Sequence, residues 1–135
     1  MQNSGKFPLL FLVLYVILCV VLAFGPFDRE IWFAENLTVW IIVGTLIVLW
    51  VSGIRFSNLS YFLMSILIFL HTIGGHYTFE KVPFQWFNDL IGSERNNYDR
   101  VAHFSVGLYA FAVAEWLSAK KLVANRFLLF TYPVF

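Results

Sequence analysis

Charge is scarce in this sequence. Only 13% of its 135 residues are Asp, Glu, Lys or Arg, against 60% hydrophobic and 20% aromatic residues, and the mean hydropathy is +0.76. A soluble domain of this length cannot cover so much apolar surface with so few charges, which excludes water as its main solvent. Basic residues are in no real excess: nine Lys and Arg stand against eight Asp and Glu, a formal net charge of +1. Nucleic acid is excluded as a partner, because neutralising phosphates takes a dense Lys/Arg surface. Cysteine is reduced to Cys19, so no intramolecular disulfide can form. Its apolar neighbours disfavour a thiolate, which leaves packing as its role.

What the chain has instead is long apolar runs. Stretches free of charge extend from Phe7 to Phe27, from Asn36 to Ile54, from Phe56 to Phe79 and from Val101 up to Glu115. A hydrocarbon core of roughly 30 Å takes about 20 helical residues at about 1.5 Å each. Inside it every backbone polar group must be paired within the segment, so these runs are expected to be helices. The fold expected is an all-α, polytopic transmembrane bundle forming a single membrane-embedded domain over residues 1–135. It has about four spanning helices, near 7–27, 36–54, 57–75 and 100–119, and a long outer loop over 76–99. The lipid bilayer is then its first partner. The segment opening at Met1 is too long and too poor in small residues at its end for a signal peptide.

Gly25-Pro26, Ser52-Gly53 and Gly74-Gly75 fall near the ends of the first three runs, where helix breakers belong. Trp32, Phe33, Trp40, Trp50, Tyr61 and Trp116 lie near the same ends and suit interfacial belts. In the outer loop, Phe84, Phe87, Leu90 and Ile91 follow at helical spacing. They indicate either a short helix in the membrane interface or an irregular loop with its aromatics folded onto the bundle. Beyond Lys121 the run Phe127 to Phe135 is too short to cross a bilayer and is expected to be the start of a truncated fifth helix.

Orientation follows Lys and Arg. Lys6, Arg55, Lys120, Lys121 and Arg126 share one side; the other carries Arg29, Lys81, Arg95 and Arg100, diluted by Asp28, Glu30, Glu35, Glu80, Asp89, Glu94 and Asp99. This places the N-terminus in the cytoplasm and the long loop outside. Two glycosylation sequons, at Asn36 and Asn58, would then lie on opposite sides, so at least one is chance.

All three histidines collect near the outer face: His71 late in the third helix, His76 just after Gly74-Gly75, and His103 one turn into the fourth. Asp99 and His103 are four apart, which puts carboxylate and imidazole on one helix face. Glu80 stands four after His76 and makes a second such pair if that turn is helical. The group can run acid–base chemistry near neutral pH, with Asp99 and His103 as the catalytic candidates. His71, His76 and Glu80 are the candidate ligands of a divalent metal, the one cofactor the residue types suggest, although no HExxH signature is present. Asp99, His103, Gly107, Ala110 and Ala114 form a stripe of small and polar residues expected to face other helices. Glu115 reads as interfacial, Arg100 as snorkelling, and Tyr77 and Tyr98 as belt residues.

The segments His71-Thr72-Ile73-Gly74-Gly75-His76-Tyr77-Thr78-Phe79-Glu80-Lys81-Val82-Pro83 and Asn97-Tyr98-Asp99-Arg100-Val101-Ala102-His103-Phe104-Ser105-Val106-Gly107 resemble the signature blocks of the YjdF-like bacterial inner-membrane family. The resemblance covers most of the chain and implies a multi-pass protein of the bacterial inner membrane. It brings no established reaction. It also implies further spanning helices with an Asp-rich segment beyond Phe135, so this chain would be a partial form. Asp99-Arg100-Val101-Ala102-His103-Phe104 resembles, over six residues, the Asp-Lys-x-x-His-Phe motif of VanZ-like membrane proteins, a family linked to glycopeptide resistance.

Three functional classes remain open. In the first, an enzyme uses His103, oriented by Asp99, as base on a lipid-linked or periplasmic small-molecule substrate. In the second, a transporter or ion binder uses the same groups as a relay; against it, the first two expected helices carry no ionisable side chain. In the third, a structural subunit uses the cluster only to anchor its outer loop.

Overall fold

A computed structural model describes residues 5–120, and within them the only regular elements are helices. These are α1 (Lys6–Leu22), α2 (Arg29–Val51), α3 (Asn58–His76), α4 (Gln85–Leu90), α5 (Tyr98–Phe104) and α6 (Tyr109–Ala119). The four residues Ser105–Leu108 form a 3-10 turn that joins α5 and α6 into one rod. Among the described residues three helices are long and apolar enough to cross a membrane: α2, α3 and the rod Tyr98–Ala119. The apolar α1 is shorter, at 17 residues. Lys121 and the run expected to begin a fifth helix lie outside the described residues.

Helix ends follow local chemistry. Gly25 and Gly53 take left-handed φ values of 62° and 87°, as expected of breakers. Asp28 caps α2, its Oδ1 accepting from the Glu30 and Ile31 backbone N–H groups at 2.9 and 3.0 Å. The cap starts α2 seven residues before the expected Asn36, since the acids of 28–35 form a polar first two turns rather than a loop. Trp40 consequently stands in the middle of α2, not at an interface. It packs with Cys19 around the core of Tyr15, Val39 and Ile68. Asn36 is fully buried and its Nδ2 donates to the Trp32 carbonyl at 2.8 Å, so its sequon is a chance match.

The central helix is α3, which packs against α1, α2 and the rod. Beside Tyr61, Met64, Leu67 and Ile68, its buried positions include the small or polar Ser60, Ser65, Thr72, Gly74 and Gly75. Gly74 and Gly75 lie inside the last turn of α3 and do not end it; they serve close approach. A Cβ on Gly75 would stand 3.2 Å from Glu35 Cβ and 3.3 Å from Asn36 Nδ2, and one on Gly74 would collide with the Phe79 ring.

At the other end of α3, Ser57 caps the helix by accepting from Ser60 N–H at 3.2 Å. The Glu115 carboxylate, reaching across from α6, accepts from the Ser57 N–H at 3.2 Å and from the Ser60 hydroxyl. A carboxylate here satisfies the otherwise orphaned N–H of the capping residue and meets the positive end of the helix dipole.

Two outcomes are expected. Glu115→Ala removes the acceptor for two buried or half-buried donors and should destabilise the protein by about 1–3 kcal/mol, read as a lower unfolding midpoint in an SDS titration from mild detergent. Gly75→Leu wedges α2 from α3 and should cost about 1–3 kcal/mol by overpacking; Gly107→Leu, on an exposed position with open space beside it, should leave the midpoint unchanged.

Candidate functional site

The bundle end at which α3 stops and α2 and α5 begin holds a polar cleft of about 560 Å³. Its ionisable lining comes from every element nearby: Glu35 of α2, His71 of α3, Glu80 and Arg95 of the loop, and Asp99 and His103 of α5. Thr78, Phe79 and Asn96 complete the wall.

An inner pair sits against α2. His71 Nε2 donates to Glu35 Oε2 at 2.9 Å, with the two side chains 18% and 36% exposed. The Gly75 contact brings Glu35 this close, and the Phe79 ring meets the imidazole edge-on at 5.0 Å between centroids. The outer pair is open: His103 and Asp99 are 67% and 54% exposed. His103 Nδ1 is 2.9 Å from Asp99 Oδ1 and 2.8 Å from the Asp99 carbonyl. Both oxygens accept, so Nδ1 carries the proton and Nε2 of the neutral ring keeps its lone pair for another partner.

The loop between α3 and α5 is held by asparagines. Asn97 is buried and donates through its backbone N–H to Asn88 Oδ1 at 3.1 Å, and through Nδ2 to the Ser93 hydroxyl and the Arg95 carbonyl, both at 2.8 Å. Asn96 Nδ2 donates to the carbonyls of Glu80 and Val82 at 2.9 and 3.0 Å. These bonds fix the backbone that carries Glu80 and Arg95. Within the loop, α4 is the short helix that the aromatic spacing allowed: Phe84 and Phe87 stack at 4.7 Å, while Trp86, Leu90 and Ile91 are exposed.

His71, Glu80, Asp99 and His103 therefore share one cleft, but His76 does not line it. The His76 ring donates through Nδ1 to the Leu22 carbonyl at 2.8 Å, and its own carbonyl accepts from Phe27 N–H at 2.9 Å. It clamps the α1–α2 turn onto α3, satisfying a carbonyl that the end of α1 leaves orphaned. Its pairing with Glu80 fails because α3 ends at His76 and the chain turns away. Among the described residues no three His, Cys, Asp or Glu side chains are grouped to hold a metal ion, so His71, His76 and Glu80 do not form the expected ligand set.

The expected stripe on the last rod is also broken. Tyr98, Ala102, Ser105, Ala112 and Leu117 are the buried positions, whereas Asp99, His103 and Gly107 are exposed. The reason is phase: Tyr98, Ala102 and Ser105 follow at spacings of four and three and take the core-facing side, so Asp99 and His103, each one residue past a buried one, stand about 100° around the helix from it. Tyr98 is no belt residue: it is buried against Val82 and Ala102, and its hydroxyl donates to the Leu70 carbonyl at 2.6 Å.

Sequence reasoning missed Glu35 and Arg95. The Asp28 cap, followed by Glu30 in the first turn, is the signal that would have started α2 at Arg29 and set Glu35 on a helix. No comparable pattern points to Arg95.

A family model described as predicted membrane protein (DUF2238) matches residues 7–135. The inner membrane protein YjdF of Escherichia coli (strain K12) is 33% identical over 109 residues, covering 72% of this chain and 50% of that protein. The chain thus spans about half the length of this relative. No solved structure matches it. Joined to the apolar helices, the relationship supports a multi-pass protein of a bacterial inner membrane. The chain belongs to the DUF2238 family of membrane proteins and is YjdF-like.

Proposed function

We propose that this protein crosses the membrane four times, N-terminus in the cytoplasm, and that its outer cleft is an acid–base site for the polar head of a lipid-linked or periplasmic substrate. Four crossings put the ends of α1 and α3 at the required faces, and Lys6, Arg55 and Lys120 then lie on the cytoplasmic side. The observation that carries the reading is the convergence of six ionisable side chains from α2, α3, α5 and the loop on one cleft. Isolated stabilising pairs would not need a common cavity.

Roles follow from the geometry. His103 Nε2 is the proton acceptor, because Asp99 fixes the proton on Nδ1 and the ring is open to a substrate. Glu35 orients His71 deeper in the cleft. Glu80, Glu35 and Asp99 outnumber the guanidinium of Arg95, so with neutral imidazoles the cleft is net negative and favours a cationic or hydrogen-donating head group.

Lipid extracts from cells producing the full chain, compared by mass spectrometry with extracts from cells producing His103→Ala, test this. One lipid species should change with the unaltered protein and not with the variant, whose turnover falls by about 10²–10⁴-fold; Asp99→Asn should be intermediate. Identical extracts, together with identical consumption of added periplasmic small molecules, would remove the enzyme reading.

One observation favours a transporter as the second reading: Glu35 lies on α2, next to the fully buried Asn36, so the first two helices do not lack ionisable side chains. Proton- or cation-dependent uptake into liposomes that Glu35→Gln abolishes would select it over the enzyme.

A further inference from the structure

At the opposite end from the polar cleft, a second cavity of about 270 Å³ opens between α1, α2 and α3. Its walls are almost wholly apolar, supplied by Leu9, Leu12, Leu46, Met64 and Ile68 among others. Along α1 and its N-cap the lining runs from Gly5 to Tyr15, ten steps of the helix, or about 15 Å at about 1.5 Å each. That is half of a hydrocarbon core of roughly 30 Å, the depth of one leaflet. Leu9 on its wall is 58% exposed, so the cavity is reached from the side that faces lipid.

The mouth is cationic. Trp50 lines it, and a Cβ on Gly5 would stand 3.1 Å from the Trp50 ring, so the start of α1 and the end of α2 meet there. The Arg55 guanidinium lies 4.3 Å from the centroid of the Trp50 ring, and Lys6, next to Gly5, is exposed. Glu115, the one acid at this end among the described residues, is engaged by Ser57 and Ser60. An apolar slot one leaflet deep beneath two cations and an indole matches an anionic phospholipid in both halves: chain in the slot, phosphate at the rim.

We infer that this cavity holds one acyl chain of an anionic phospholipid from the leaflet at the Gly5 end, with Arg55 and Lys6 binding its head group. The site is independent of the polar cleft. It makes lipid composition on that face a determinant of how α1 sits against α2 and α3.

Native mass spectrometry of the full chain in mild detergent, with added dioleoyl phosphatidylglycerol or dioleoyl phosphatidylcholine, reads the head-group preference. One phosphatidylglycerol should be retained at least about tenfold better than phosphatidylcholine, a difference of about 1.4 kcal/mol. Arg55→Gln with Lys6→Gln, both exposed and therefore compatible with folding, should abolish the preference. Equal retention of the two lipids, or no retained lipid, overturns the inference. The occupant is read separately by Leu9→p-benzoylphenylalanine, irradiated in phosphatidylglycerol-containing membranes. A mass increase of one phospholipid is expected; cross-links instead to residues 121–135 or to a second copy show that protein fills the slot and overturn it.

Discussion

Lipid tails solvate an apolar side chain as well as another side chain does, so hydrocarbon burial gives helices in a bilayer little reason to associate. The structure depends on close approach along α3, whose buried face sets Ser60, Ser65, Thr72, Gly74 and Gly75 among Tyr61, Met64, Leu67 and Ile68. By contrast, α1 and α2 expose Leu, Val and Ile around much of their circumference, as rods bathed in lipid do. Polar side chains on α3 are satisfied locally, Thr72 by the Ile68 carbonyl at 2.8 Å and Ser65 by that of Phe62 at 2.6 Å. The helix can thus be small on its contact face without leaving donors stranded in hydrocarbon.

The two ends of α3 use this approach differently. Where the helix begins, a carboxylate from α6 accepts from the Ser57 N–H and the Ser60 hydroxyl, and an apolar slot opens between α1, α2 and α3. Where it finishes, Gly75 admits α2 until Glu35 meets His71, and the long loop lays the Phe79 ring over Gly74. One helix therefore sets an apolar cavity at one membrane face and an ionisable one at the other.

Much of this was legible in the residues, because hydrocarbon leaves the backbone few choices. The apolar runs mark α1, α2, α3 and the final rod, and the helical spacing of Asp99 and His103 gives a real contact at 2.9 Å. Failures came where polar residues do a helix's work. Asp28 to Glu35 read as loop because they are charged, although a cap and two solvated turns are what the surface end of a spanning helix requires. His76 read as a ligand because residue type cannot distinguish an imidazole facing a cavity from one bonded to a carbonyl 54 positions away. The face of the last rod was misjudged because small and polar residue types marked Asp99, His103 and Gly107 as the contact stripe, whereas the neighbouring face of Tyr98, Ala102 and Ser105 takes the core.

The cleft wall carries a further consequence. Thr78 and Phe79 hold φ values of 58° and 59°, a left-handed pair in which neither residue is glycine and Thr78 is β-branched. Each such residue raises the energy of the backbone by about 1–3 kcal/mol. Phe79 is kept there by its N–H donating to the Gly74 carbonyl at 2.7 Å and by its ring covering Gly74. Occupancy of the cleft and the torsions of its wall are then thermodynamically linked: a guest that lets this pair relax recovers stored energy as affinity, and one that demands the present shape does not.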